Sequence, residues 1–188
     1  MHNIIPDIYH FVDEIDQNYI KKLGKNINII YRNHSNRINE KSLQILKQIC
    51  KKEGKKLFLS NDTRLANKMN LDGVYISSFN KKMNINLYNK RKKFLILGSA
   101  HNIKEIKIKE LQNVVCIFLS PIFEVKKSKK YLGISKFNNL TRCTSKKIIA
   151  LGGINYKNLK KLKMLNCYGF ASISLIKMQN KIWTMIFI

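Results

Sequence analysis

The residues of this chain best suited to chemistry stand at the ends of short apolar runs. Ser99 and His101 follow the run Phe94 to Leu97, at a spacing that puts both on one rim. A histidine there can shuttle protons near neutral pH, although an exposed loop histidine is the commoner finding. Arg32 and His34 end the run Asn28 to Tyr31, where a planar guanidinium suits a phosphate or carboxylate. Asn61 and Asp62 follow Lys56 to Leu59. Their oxygens suit Mg2+ or a polar substrate, but taken alone a helix N-cap is the stronger reading. Gly152 and Gly153, with Ile154 and Asn155 after them, pair with Ser172, Ile173 and Ser174 to make the best constellation. Glycines let backbone N–H groups approach an anion, and a following helix start favours negative charge. The plain alternative for the glycines is a tight strand-to-helix turn.

The elements that must position these residues read as alternating strands and helices. Strands are expected over 8–12, 28–31, 56–59, 73–76, 94–97, 114–119, 147–151 and 170–173. Continuous apolar runs of this kind are typical of parallel strands buried on both faces. Helices are expected over 13–23, over 38–53 with a stop at Gly54, from the Asn61-Asp62 cap to Met69, weakly over 79–89, over 102–112, near 135–143 and over 155–165. On the helix over 102–112, Ile103, Ile106 and Leu111 share one side; on the one over 155–165, Leu159, Leu162 and Leu165 form one stripe. Eight such units predict a compact (β/α)8 TIM barrel in one domain spanning residues 1–188. The chain is roughly 60 residues shorter than the usual barrel of about 250, so several helices must be trimmed. In such a barrel, sites lie at the C-terminal ends of the strands, and loops seven and eight commonly hold phosphate.

Composition narrows the partners. Thirty-six Lys and Arg against eleven Asp and Glu leave a net charge of +25. The lysines are spread over nearly every helix and loop, and Asn and Ile are also abundant. That pattern fits codon bias and solvated helix faces better than a nucleic-acid footprint, and no interleaved aromatic residues offer to stack bases. A positive field still attracts phosphorylated substrates. No apolar run approaches the ~20 residues that span a bilayer, and no signal peptide is visible, so a cytoplasmic protein without a membrane partner is expected. Cys50, Cys116, Cys143 and Cys167 are widely spaced and form no Cys-x-x-Cys pair, which suggests buried reduced thiols. The end from Trp183 to Ile188 either completes a last helix or covers a second copy in a homo-oligomer.

Several segments, taken in order, resemble the thiamine phosphate synthase/TenI superfamily. They are Asn61-Asp62 with Leu71 to Tyr75, Leu119 to Phe123, Ala150 to Ile154 and Gly169 to Ser174. The resemblance runs from about Ile8 to Ile176 and implies a (β/α)8 barrel. It also implies a synthase that joins a hydroxymethylpyrimidine diphosphate to a thiazole phosphate, releasing pyrophosphate with the help of Mg2+. On that pattern Gly153, Ile173 and Ser174 hold the thiazole phosphate through the backbone. Arg32 and Asn61 hold the diphosphate, joined by Lys127 or Lys129. Asp62 binds Mg2+, and Ser99 faces the reacting centre.

The chain departs from the family pattern at informative places. The Gln-x-Arg-x-Lys motif reads Ile30, Tyr31, Arg32, Asn33, His34, so only the arginine remains. A second Mg2+ carboxylate becomes Asn80, and a Pro-Thr pair becomes Glu124-Val125. These losses weaken the Mg2+–diphosphate site and shift weight toward the superfamily's thiazole tautomerase, whose catalytic histidine matches His101. The primary expectation is a thiamine-biosynthesis transferase acting on phosphorylated pyrimidine and thiazole substrates. The alternatives are a tautomerase using His101 and a catalytically degenerate phosphate binder; a nucleic-acid module ranks last.

Overall fold

A computed structural model describes residues 7–33, 38–83, 93–126 and 130–172. Eight strands close into one parallel barrel in sequence order: β1 (Asp7–Val12), β2 (Ile27–Tyr31), β3 (Leu57–Ser60), β4 (Gly73–Ile76), β5 (Leu95–Ala100), β6 (Cys116–Leu119), β7 (Lys147–Leu151) and β8 (Gly169–Ser172). Pairing of β1 with β8, Asp7 opposite Gly169 and His10 opposite Ser172, shuts the ring. The expected TIM barrel is therefore the observed one.

Each strand buries two faces against different neighbours. Tyr9, Phe11, Ile30, Phe58, Tyr75, Leu97, Phe118 and Ile149 point into the barrel and fill it. Their rings meet edge to face, with Tyr75 5.2 Å from Phe118 and 5.1 Å from Phe11, the arrangement that ring quadrupoles favour. Residues in alternate register, among them Ile29, Leu57, Val74, Ile96 and Ile117, face outward onto the helices. This double burial explains the continuous apolar runs.

Among the described residues, five α-helices cover the outside: α1 (Gln17–Lys22), α2 (Glu40–Lys52), α3 (Thr63–Lys68), α4 (Ile103–Leu111) and α5 (Gly133–Thr141). Side chains of Asp16, Asn39, Asp62 and Asn102 cap the first four, each accepting from an amide three residues on. The segment expected as a helix over 155–165 is instead a 3-10 helix, Leu159–Met164. Leu159, Leu162 and Leu165 recur every third residue, which is the 3-10 period rather than the α period. Residues 79–83 form no helix, and 84–89 lie outside the described residues. α5 begins two residues before its expected start.

The buried side of α4 also differs from expectation. Ile106, Lys109 and Gln112 are buried, whereas Leu111 is 67% exposed and Ile103 39%. Polar Lys109 and Gln112 replace an apolar stripe because backbone carbonyls of the loop after β4 meet them. Among the thiols, Cys50 and Cys116 are buried as expected, but Cys143 is exposed and Cys167 half-buried; all four are free. No helix among the described residues is long and apolar enough to cross a membrane.

Candidate functional site

His101 stands on the rim directly after β5, held there by its backbone and by both ring nitrogens. Asn102 caps α4 through the Glu105 amide at 3.0 Å, and Glu105 reaches back to the His101 amide at 2.7 Å. This reciprocal cap fixes the backbone that carries the imidazole. Nδ1 lies 2.7 Å from the Ser120 carbonyl oxygen. A carbonyl only accepts, so Nδ1 carries the hydrogen and Nε2 presents its lone pair. That lone pair accepts from the Ser78 hydroxyl at 2.9 Å. The result is a hydrogen-bond relay in which the carbonyl fixes the Nδ1–H tautomer and Nε2 is the nitrogen able to take up a proton, the arrangement of a general base.

Ser99 belongs to β5 itself and lies buried inside the barrel mouth, not in the loop after it. It hydrogen-bonds the Tyr75 hydroxyl, whose pKa burial pushes up to about 12. The pair therefore stays protonated at neutral pH and offers neutral donors below the rim.

Asn61, just after β3, joins that strand's loop to loop four, the residues 77–82 that follow β4. Its φ of 61° lies in the left-handed region that asparagine tolerates better than most residues. The carboxamide oxygen accepts from the Ser77 amide and the Ser77 hydroxyl, both at 2.9 Å. Asp62 next to it caps α3, its Oδ1 2.8 Å from the Leu65 amide. Arg32 is engaged too, in a two-pronged ion pair with Asp13 at 2.9 and 3.0 Å, and its guanidinium lies 5.0 Å above the Phe11 ring.

These residues do not fit a Mg2+ site built by protein carboxylates. Asp62 offers a single carboxylate with one oxygen committed to the cap, Asp13 faces a guanidinium, and Asn80 is an amide. Among the described residues no three His, Cys, Asp or Glu side chains gather as metal ligands.

Across the mouth, the glycines at the end of β7 pack against the loop after β6. Gly153 has φ 73°, and a Cβ there would stand 2.5 Å from the carbonyl oxygens of Phe123 and Glu124. Close loop approach therefore requires glycine, independently of any ligand. The Gly153 carbonyl accepts from Asn158 at 2.7 Å and Asn155 at 3.2 Å, while its amide has no partner among the described residues. Beside this turn opens a cleft of about 620 Å³, whose lining includes Glu124, Lys126, Asn155, Asn158 and Lys161.

The structure thus brings His101 and Asn61 to loop four through Ser78 and Ser77, with Ser99 against Tyr75 of β4, Arg32 and Asp62 held on their own loops and Gly152 and Gly153 on the β7 side. His34, Lys129, Ile173 and Ser174 lie outside the described residues, as does Lys127. Sequence reasoning missed Ser78, Asp13, Lys109 and Gln112. Only Lys109 left a usable trace, a cation three residues after Ile106 on the buried side of α4.

Known proteins resemble this chain in sequence and in fold. The thiamine monophosphate synthase (TMP-TENI) family profile matches residues 21–176. A thiamine-phosphate synthase of Methanococcus vannielii is 30% identical over 130 residues, covering 67% of this chain and 62% of that protein. One from Pelagibacter ubique is 32% identical over 133 residues, covering 69% and 63%. The chain thus spans less than two thirds of the length of these two curated relatives. Among solved structures, thiamine phosphate pyrophosphorylase from Pyrococcus furiosus superposes with a TM-score of 0.77 at 14% identity, covering 97% of this chain and 92% of that one. The 3-hexulose-6-phosphate synthase of Salmonella typhimurium gives 0.68 at 12% identity, covering 93% and 92%. At such identities the structures speak for the barrel alone. The family profile, by contrast, spans residues 21–176, from before β2 to beyond β8, and the chain belongs to the thiamine monophosphate synthase family.

Proposed function

We propose that this chain is a thiamine phosphate synthase, joining a hydroxymethylpyrimidine diphosphate to a thiazole phosphate. The observation that carries the reading is the family match across the loops that form the rim. In this reaction the bond from the pyrimidine methylene to the diphosphate oxygen breaks, and pyrophosphate leaves with the electron pair. The thiazole nitrogen then forms the new bond to that methylene carbon. The protein's task is to bind two anions and to align the two rings. Gly153, with Ile173 and Ser174, takes the thiazole phosphate; Lys126 and Lys161 supply positive charge beside it. Arg32 and Asn61, with His34 and Lys129, face the diphosphate, and Ser99 with His101 faces the reacting centre. The reading places the protein in the cytoplasm, with small phosphorylated partners and no nucleic acid.

A second reading is favoured by one specific observation, the Ser78–His101–Ser120 relay. Such a relay suits isomerisation of a thiazole carboxylate phosphate, in which one proton is taken up and another returned. That reaction needs no diphosphate site. Supplying both synthase substrates with Mg2+ and measuring pyrophosphate tests the first reading. Release coupled to thiamine phosphate formation supports it, and no turnover at saturating Mg2+ sinks it. Isomerisation that vanishes in His101→Ala while phosphate binding persists would establish the second. Binding without either turnover would leave a phosphate-ligand binder.

A further inference from the structure

α4 carries a cation where a barrel helix ordinarily carries an apolar residue. The Lys109 side chain is fully buried, and its Nζ meets three oxygens at 2.8 Å: the carbonyls of Ser77 and Asn80 and the Gln112 carboxamide. An ammonium has three hydrogens, and each finds an acceptor. Gln112 turns its amide nitrogen back to the same loop, donating to the carbonyls of Asn80 at 2.9 Å and Lys82 at 2.8 Å. Room for the lysine stem comes from Gly98 on β5, where a Cβ would stand 2.8 Å from Lys109 Cδ.

All of these bonds converge on the short loop that bears Ser78. The carbonyl of Ser77 belongs to the peptide unit that joins Ser77 to Ser78. Lys109 holds that carbonyl from the helix side, and Asn61 holds the Ser77 amide and hydroxyl from the β3 side. Gripped from both sides, Ser77 leaves its neighbour little freedom, and Ser78 points its hydroxyl at His101 Nε2. An irregular loop has no ladder of its own to set such a direction.

We propose that Lys109 and Gln112 are positioning residues of the active site, holding the loop over 77–82 so that Ser78 stays hydrogen-bonded to His101. The proposal rests on the reading of this rim as the site, but not on which of the two reactions it performs. A purely structural clamp would lower stability and leave the relay alone. A positioning clamp acts through Ser78, and that difference is measurable.

The test is a double-mutant cycle between Lys109→Met and Ser78→Ala, read by kinetics on whichever activity the protein shows. The expected outcome is a fall in kcat of about 100-fold for Lys109→Met, with KM changed less than about threefold. In the Ser78→Ala background, Lys109→Met should then cost little more. Additive losses, or full activity in Lys109→Met, overturn the proposal. A second readout is independent of activity: the NMR titration of His101, identified by its loss in His101→Asn. Lys109→Met should reproduce the shift that Ser78→Ala produces. A wild-type titration curve in Lys109→Met, or no shift in Ser78→Ala, overturns the proposal even if neither reaction is detected. Should Lys109→Met fail to fold, Gln112→Met enters the same cycle and titration with the same expected outcomes.

Discussion

The imidazole of His101 is tied by Nδ1 to a carbonyl and by Nε2 to a hydroxyl, so its tautomer is set by the protein rather than by solvent. Replacing it with glutamine keeps some hydrogen bonding but removes the titratable base. His101→Gln should lower the turnover of the isomerisation by about 100-fold or more, measured as kcat at saturating substrate; unchanged turnover would exclude proton transfer by this residue. Gly153→Ala tests a different kind of constraint. The added Cβ collides with two carbonyl oxygens at a left-handed φ, so stability should fall by about 2 kcal/mol. Thermal unfolding should show Tm lower by roughly 4–8 °C, whether or not phosphate is present. At this scale His101 was legible because a serine and a histidine two apart followed an apolar run. Ser78 was not, because its partner lies 23 positions away and its loop has no period.

At the scale of elements, two helix features carry separable predictions. Asp62 caps α3, and asparagine caps as well as aspartate does. Asp62→Asn should leave stability within about 0.5 kcal/mol of the wild type, whereas Asp62→Ala should cost about 1 kcal/mol, both measured by urea unfolding. If Asp62 also meets Mg2+, Asp62→Asn should raise the Mg2+ needed for half-maximal activity; an unchanged Mg2+ dependence reduces it to a cap. Lys109 predicts a pH effect of defined sign. Burial lowers its pKa from 10.5 to about 8, so between those values the unfolded chain holds the proton more firmly than the folded one. Stability contributed by this group therefore rises as pH climbs from about 8 to 10.5. Wild-type protein should gain stability relative to Lys109→Met across that window, in paired denaturant titrations. A difference that stays flat or falls would contradict the depressed pKa. The elements were legible to within a few residues wherever strands were buried on both faces. The 3-10 helix at Leu159–Met164 was less so, because a leucine every third residue also fits one side of a short α-helix.

For the whole molecule, the expected work of the net charge of +25 is attraction of anionic substrates. Ionic strength of about 0.01 M leaves that field a reach of about 30 Å, and about 1 M cuts it to about 3 Å. The value of kcat/KM should accordingly fall by roughly tenfold across that range, mostly through KM. A flat salt profile would show that the surface lysines only keep the helices solvated. The short chain closes the barrel by trimming its cover: the β7–β8 connection has only a 3-10 helix, and α1 and α3 are six residues each.

The eight-stranded barrel, the order of its rim loops and the resemblance to the synthase family were determined by local sequence: apolar runs, capping residues and short motifs act over a few positions. What Arg32, Asn61 and Lys109 do there was decided only by the tertiary structure. Arg32 meets Asp13, Asn61 meets Ser77 and Lys109 meets loop four, partners that lie 16 to 32 positions away in the chain. Closing the barrel brings them to hydrogen-bonding distance, and no spacing along the sequence encodes that approach.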